Sequence, residues 1–438
     1  MVAATPGGME NCSGAMMTPQ THQQNAHQQN ARQQNDRRTR LIAILRDAPW
    51  LTHERALAWC QVLAVVGVAF TALRWVLAAF GILLYGDPRN VDFVSFWTAS
   101  ELALRGQPHF AYEPMLHQRA EQTLLGSITG YTAFFYPPPY LLLCLPLALL
   151  PFVPALFLWL GLSWAAFWRV ARRFLPICIS TGTGLLVLIG YPAALNNVWH
   201  GQNGFVFTAL FGAGVLTLDR RPFVAGLWFG CLVGKPQLAL LLVPALLLAG
   251  RWWTILGAGV SALGLAGAAM LAFGLNTWQA FLADTALART ALEQELIGSA
   301  KLQSVFAAVR LLGGGLPLAY GLQIAVALAV LTLVLVLVRR RPGGLAEGVA
   351  IAAATPLISP FILDYDLVLL ALPIGWVMQQ AQRTGAFLPW EKLALAAAFM
   401  LALISRTIAM KFGLPLAPLV LVAFLLVVAR RVRFLPPG

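Results

Sequence analysis

Three kinds of side chain in this sequence suit group transfer between oxygens: carboxylates, cations and a cluster of amides. Asp92 stands in Asn-Val-Asp-Phe, Lys235 and Gln237 in Gly-Lys-Pro-Gln, and Asp364 and Asp366 flank Tyr365. Asn196, Asn197, His200, Gln202 and Asn203 crowd into one short stretch, and Lys301, Gln303 and Ser304 into another. A carboxylate within hydrogen-bond reach of a hydroxyl can take its proton as that hydroxyl becomes a nucleophile. A Lys or Arg can stabilise the charge on a departing phosphate. These are the needs of sugar transfer from a lipid phosphate. The same inventory would serve a proton-coupled transporter, and Arg74, inside the first apolar span, fits that alternative equally well.

Each group also has a plainer reading. Asp92 is well typed for a helix N-cap. Lys235 could snorkel to a membrane interface. His200 and Gln202 in Trp-His-Gly-Gln-Asn could be ordinary loop residues. Asp364 and Asp366, after Pro360 and before an apolar run, could cap a helix.

The elements that must position these residues are membrane helices. Apolar residues are 59% of the chain and charged residues only 11%, well below the charge of a soluble domain. Mean hydropathy is +0.73. Runs of about 20 apolar residues recur, such as Leu63–Leu84, Thr254–Phe273 and Leu316–Val338. Such runs read as spanning helices, because in lipid the backbone must satisfy itself within the segment. The alternation of a membrane barrel is absent. The fold class expected is all-α, a polytopic membrane protein of about 12 transmembrane helices.

The net charge of +13 sits in clusters between apolar runs: Arg37–Arg46, Arg169–Arg173, Arg220–Arg221, Arg251, Arg339–Arg341 and Arg430–Arg433. That is the positive-inside pattern of cytoplasmic loops. No basic, aromatic-interleaved soluble module accompanies it, so no nucleic-acid partner is expected. Counting spans between the clusters places both termini in the cytoplasm and gathers the polar groups above on the outer face. Residues 86–136 form a long first external loop, with an amphipathic interfacial helix at Val91–Arg105 (apolar face Phe93, Phe96, Trp97, Leu102 and Leu104) and a second helix from Pro114. Pro138–Leu150 reads as a partial or kinked crossing, Leu175–Leu195 as one outward span.

Residues 1–55 read as a disordered, basic tail, repeating THQQN, AHQQN and ARQQN within its first 36 residues, and 56–432 as the membrane domain. No cleavable leader is expected, since the first apolar span starts after residue 55. The five cysteines show no metal-ligand spacing.

The chain resembles the bacterial polyprenyl-phosphate-dependent mannosyltransferases of glycosyltransferase family 87, with the GT-C membrane fold. The matching stretches are Asp92–Tyr112 (DFVSFWTASELALRGQPHFAY), Phe135–Pro138 (FYPP), His200–Gly204 (HGQNG), Gly234–Gln237 (GKPQ), Lys301–Arg310 (KLQSVFAAVR) and Ser359–Leu367 (SPFILDYDL). No single motif is specific, but the ordered set spans roughly residues 57–430. The resemblance implies an inverting transferase at the periplasmic face of the inner membrane. Its donor would be a polyprenyl-phosphate hexose, its acceptor a glycolipid or glycan, and its other partners membrane lipids. It implies Asp92 as catalytic base. Lys235 would contact phosphate or acceptor. Tyr136, His200, Gln202, Asn203, Gln237, Gln303, Asp364 and Asp366 would complete the substrate site. No cofactor or metal is implied. The stretch Ser359–Leu367 carries no histidine, which departs from some relatives and leaves Asp364 or Asp366 in that place. The alternative remains a transporter or flippase of lipid-linked sugar intermediates.

Overall fold

The computed structural model describes residues 1, 35, 38–83, 87–126, 130–340 and 343–434. Most of the tail repeat lies outside them. Residues 38–47 are helical, and the amide of Trp390 donates to the Arg46 carbonyl at 2.6 Å.

The described residues are helical, with no strand and one isolated bridge between Leu302 and Leu363. In chain order the helices are α1 (His53–Ala79), α2 (Phe93–Leu104), α3 (Pro114–Leu125), α4 (Pro138–Cys144), α5 (Phe152–Ala171), α6 (Thr181–Ile189), α7 (Pro192–His200), α8 (Gly204–Thr217), α9 (Pro222–Gly230), α10 (Leu242–Leu248), α11 (Trp252–Glu293), α12 (Val305–Leu311), α13 (Leu316–Arg339), α14 (Gly344–Ala354), α15 (Ala371–Thr384), α16 (Glu391–Phe412) and α17 (Leu416–Arg433). Local chemistry sets many of the boundaries. Thr52, Ser180 and Ser304 cap α1, α6 and α12 by accepting from a backbone N–H three residues on. Prolines open α3, α7 and α9, where no N–H is missed. Glycines with positive φ close α7, α15 and α16.

Among the described residues, five helices are long and apolar enough to cross a membrane: α1, α5, α11, α13 and α16. Shorter apolar helices, among them α8 and α14, run between them. The chain is a membrane protein, and its outward-facing side chains show why. Leu271 is 90% exposed and Leu263 75%, a surface that water would penalise and lipid would not. The centre is α14, α15 and the 3₁₀ turn Asp364–Leu370, buried on nearly every side. α1 is peripheral. It buries only Cys60, Ala64 and Gly67, one small-residue stripe.

Several elements differ from the sequence expectation. The helix expected at Val91–Arg105 is not an interfacial helix with one wet face. α2 buries Phe93 through Ser100 without interruption, while Leu104, assigned to the apolar face, is exposed. Two of its hydroxyls are satisfied inside: Ser100 Oγ donates to the Cys144 carbonyl oxygen at 2.8 Å and Ser95 Oγ to the Asp92 carbonyl oxygen at 2.9 Å, whereas Thr98 Oγ1 is buried without a partner among the described residues. The span expected at Leu175–Leu195 is two helices, α6 and α7, broken at Gly190-Tyr191-Pro192. Gly190 packs against α1 so closely that a Cβ would sit 2.3 Å from the Cys60 carbonyl oxygen. The helix starting at Thr254 does not stop at Phe273. It kinks at Gly274 (φ 74°, ψ 173°) and runs on to Glu293. That backbone region is essentially open to glycine alone. Pro138–Leu150 is a short α-helix followed by a 3₁₀ turn around Pro146.

Candidate functional site

Asp92 immediately precedes α2, yet its carboxylate does not cap it. Only its backbone carbonyl is used, accepting from Ser95. The carboxylate is left for the cavity. Gln202 Nε2 donates to Asp92 Oδ2 at 2.9 Å, and Gln202 Oε1 accepts from the Tyr136 hydroxyl at 3.2 Å. This pairing fixes the amide's orientation, because only the NH₂ end can face a carboxylate. His200 Nδ1 stands 3.6 Å from the same Oδ2, with both side chains about one-third exposed. Among the described residues, Asp92 Oδ1 has no partner.

Aromatic packing holds the start of α2 in place. The Phe96 ring meets Phe134, Tyr136, Tyr140 and Trp159 edge-on at 5.2–6.3 Å between centroids. The His-Gly-Gln-Asn-Gly turn is set by its glycines. Gly201 adopts φ 63°, and a Cβ there would lie 2.7 Å from Phe93 Cβ. A Cβ on Gly204 would strike Asn197 Oδ1 at 2.6 Å. The first glycine therefore turns the chain and the second lets α7 and α8 close.

Lys235 sits between two 3₁₀ turns, at a break that Pro236 enforces. It does not snorkel. The side chain is 3% exposed, and Nζ donates to Asn203 Oδ1 at 3.1 Å and to Asp366 Oδ1. The rings of Phe207 and Tyr365 lie 5.9 and 5.6 Å from Nζ. An ammonium has three protons, so one remains for the cavity. The two aspartates around Tyr365 serve as caps and as charge partners. Asp366 Oδ2 accepts from Leu363 N, and Asp364 Oδ1 from Tyr365 N. Asp364 Oδ2 faces the Arg406 guanidinium at 3.8 Å. Burial pushes the Asp364 carboxyl above its ordinary value, partly offset by the charges of His200 and Arg406.

One cavity of about 720 Å³ gathers Asp92, Tyr136, His200, Gln202, Lys235, Gln237, Asp364 and Asp366. Asn203 lies fully buried behind it, touching Lys235. Gln303 is elsewhere. Its backbone N–H donates to the Ile362 carbonyl and its Nε2 to Lys301, clipping the stretch at 299–304 to the stretch at 359–363. Among the lining residues that escaped the sequence reading are Arg406 and Asp284. Arg406 is a charge within an apolar run, the same signal that singled out Arg74. Asp284 lies past the kink in α11, with a buried Oδ1 that has no partner, and no motif marks it.

A cavity that sets an uncommitted carboxylate beside a buried lysine matches the chemistry read from the motifs. The model of glycosyltransferase family 87 matches residues 134–360. The chain belongs to glycosyltransferase family 87. No curated protein and no solved structure matches it. The family 87 match covers Tyr136, the His200 turn and Lys235. Asp92, Asp364, Asp366 and Arg406 fall outside it and join it through Gln202, Lys235 and the cavity wall.

Proposed function

We propose that this membrane glycosyltransferase moves a hexose, mannose being the first candidate, from a polyprenyl-phosphate donor to a glycolipid or glycan acceptor. The setting of this reading is a GT-C-like bundle of about 12 crossings, with the cavity at the periplasmic face of the inner membrane and both termini in the cytoplasm. The observation that supports it is Asp92: a carboxylate released from capping, oriented by Gln202, in one cavity with Lys235.

Asp92 Oδ1 accepts the proton of the acceptor hydroxyl. The hydroxyl oxygen attacks the anomeric carbon from the face opposite the phosphate. The bond from that carbon to the phosphate oxygen breaks, and the polyprenyl phosphate leaves with the bonding pair. A new glycosidic bond forms with inversion. Lys235 and Arg406 stabilise the charge gathering on the leaving phosphate. Gln202 keeps Asp92 in position and leaves Oδ1 open to the acceptor.

Asp92→Asn keeps the shape and removes the base. Transfer of labelled hexose from polyprenyl phosphate to endogenous glycolipid, measured in vesicles, should fall by about 10²–10⁴-fold with the melting temperature unchanged. Near-normal turnover would remove Asp92 from this role. Mass spectrometry of lipids from a deletion strain should show a truncated glycolipid. An intact carrier trapped on one leaflet would favour transport instead.

A further inference from the structure

A second cavity is larger than the one around Asp92. This groove, of about 1520 Å³, runs along two helices that reach that site. α5 packs Trp159 against the Gly201 carbonyl near the site, and α8 begins beside Asn203. Both helices then run away from it, and the groove follows them from Trp159 and Val206 to Arg169–Arg173 and Thr217–Arg220.

The groove is divided by chemistry. One end is lined by Arg169, Arg172, Arg173, Arg220 and Arg383. Its lining carboxylate, Asp219, is already engaged with Arg251 at 3.0 Å and with the Gly344 amide at 2.8 Å. Among the described residues, none of the five guanidinium groups bonds a carboxylate. The start of α6 faces the same end, where Ser180 and Thr181 line the wall. The other end is apolar, with Leu143, Leu147, Leu158 and Leu162. From Leu158 to Arg172 is about 20 Å along the helix axis. That is slightly more than the roughly 15 Å hydrocarbon depth of a single leaflet.

We propose that this groove holds a structural anionic phospholipid of the leaflet on the basic face. Its phosphate headgroup sits among the five arginines and its acyl chains lie along the leucines of α4 and α5. Guanidinium forks match phosphate geometry, and basic pockets between membrane helices on this side suit anionic headgroups. General positive-inside charge explains why arginines occur on this face. It does not explain why five converge without counter-charges on a cleft one leaflet deep.

The test uses the purified full chain and native mass spectrometry after titration with cardiolipin, phosphatidylglycerol or phosphatidylcholine. The wild type should retain either anionic lipid about tenfold or more over phosphatidylcholine. R172Q/R173Q/R220Q should lose that preference. Ala213→Trp, which fills the groove and keeps every arginine, should lower retention as well, so a misfolded triple variant does not end the test. Arg339→Gln, a basic residue outside the groove, should retain lipid as the wild type does. Equal retention of phosphatidylcholine by the wild type, or an equal loss in Arg339→Gln, would overturn the site.

Discussion

Lys235 carries its charge almost entirely out of water, and Asp366 is what makes that tolerable. Removing one member of a buried pair leaves the other uncompensated. Lys235→Met should therefore destabilise the protein by about 3–5 kcal/mol, read as a fall in melting temperature in detergent. Adding Asp366→Asn should recover much of the loss while transfer stays absent. Asp364 gives a second prediction at this scale. Burial raises its folded value above the unfolded one, so the folded state holds the proton more tightly. Stability from this group is then greatest below about pH 4, the unfolded carboxylate range, and is lost as pH rises through the folded value. Asp364→Asn should flatten that part of the profile of melting temperature against pH. Much of the site was readable in residue types, because Asp92, the His-Gly-Gln-Asn-Gly turn and Gly-Lys-Pro-Gln are polar interruptions in apolar sequence. Asp284 was not, since nothing local announces that a kinked helix will swing it back to the cavity.

Glycine decides how close the elements come. Gly226 and Gly230 lie one turn apart on α9 and face α11. A Cβ on Gly226 would approach the Thr254 carbonyl oxygen to 2.1 Å, and one on Gly257 would meet the Phe223 carbonyl oxygen at 2.2 Å. Small residues at this spacing let two helix backbones touch. Since the obstacle is backbone on both sides, Gly226→Leu must push the helices apart. The cost should be about 1–3 kcal/mol, measured as a lowered melting temperature with the helical circular dichroism intact. Hydropathy announced the helices but not their breaks. The Gly190 break reflects contact with α1, and the Gly274 kink requires a backbone state that only a structure reveals. The burial of α2 was misread for a related reason. Its Ser and Thr look like a wet face until packing covers them: Ser100 finds the Cys144 carbonyl oxygen on α4, while Thr98 Oγ1 is buried with no partner among the described residues.

The molecule as a whole has a basic face and a cavity face, and its orientation can be read with one thiol. Cys178 is exposed just after the Arg169–Arg173 cluster, whereas Cys60 and Cys144 are buried. In a Cys12→Ser/Cys231→Ser background, which removes the tail thiol and the half-buried one, a membrane-impermeant maleimide should label Cys178 in inverted vesicles and not in right-side-out ones. Labelling only in right-side-out vesicles would reverse the proposed topology. A buried ion pair, Arg431 to Glu391 at 2.6 Å, joins the starting end of α16 to the finishing end of α17. That closure matters to the cavity because α16 also carries Arg406.

The cavity wall is recruited from Asp92 near one end of the chain and Arg406 near the other. Translation runs in a single direction, so a polypeptide halted between Asp364 and α16 would hold Asp92, Lys235 and Asp364 without the guanidinium that faces Asp364. Such a nascent chain could be inserted, folded in part and still be inert. The enzyme should switch on late and all at once, when its last helices enter the bilayer, so that unfinished copies stay idle.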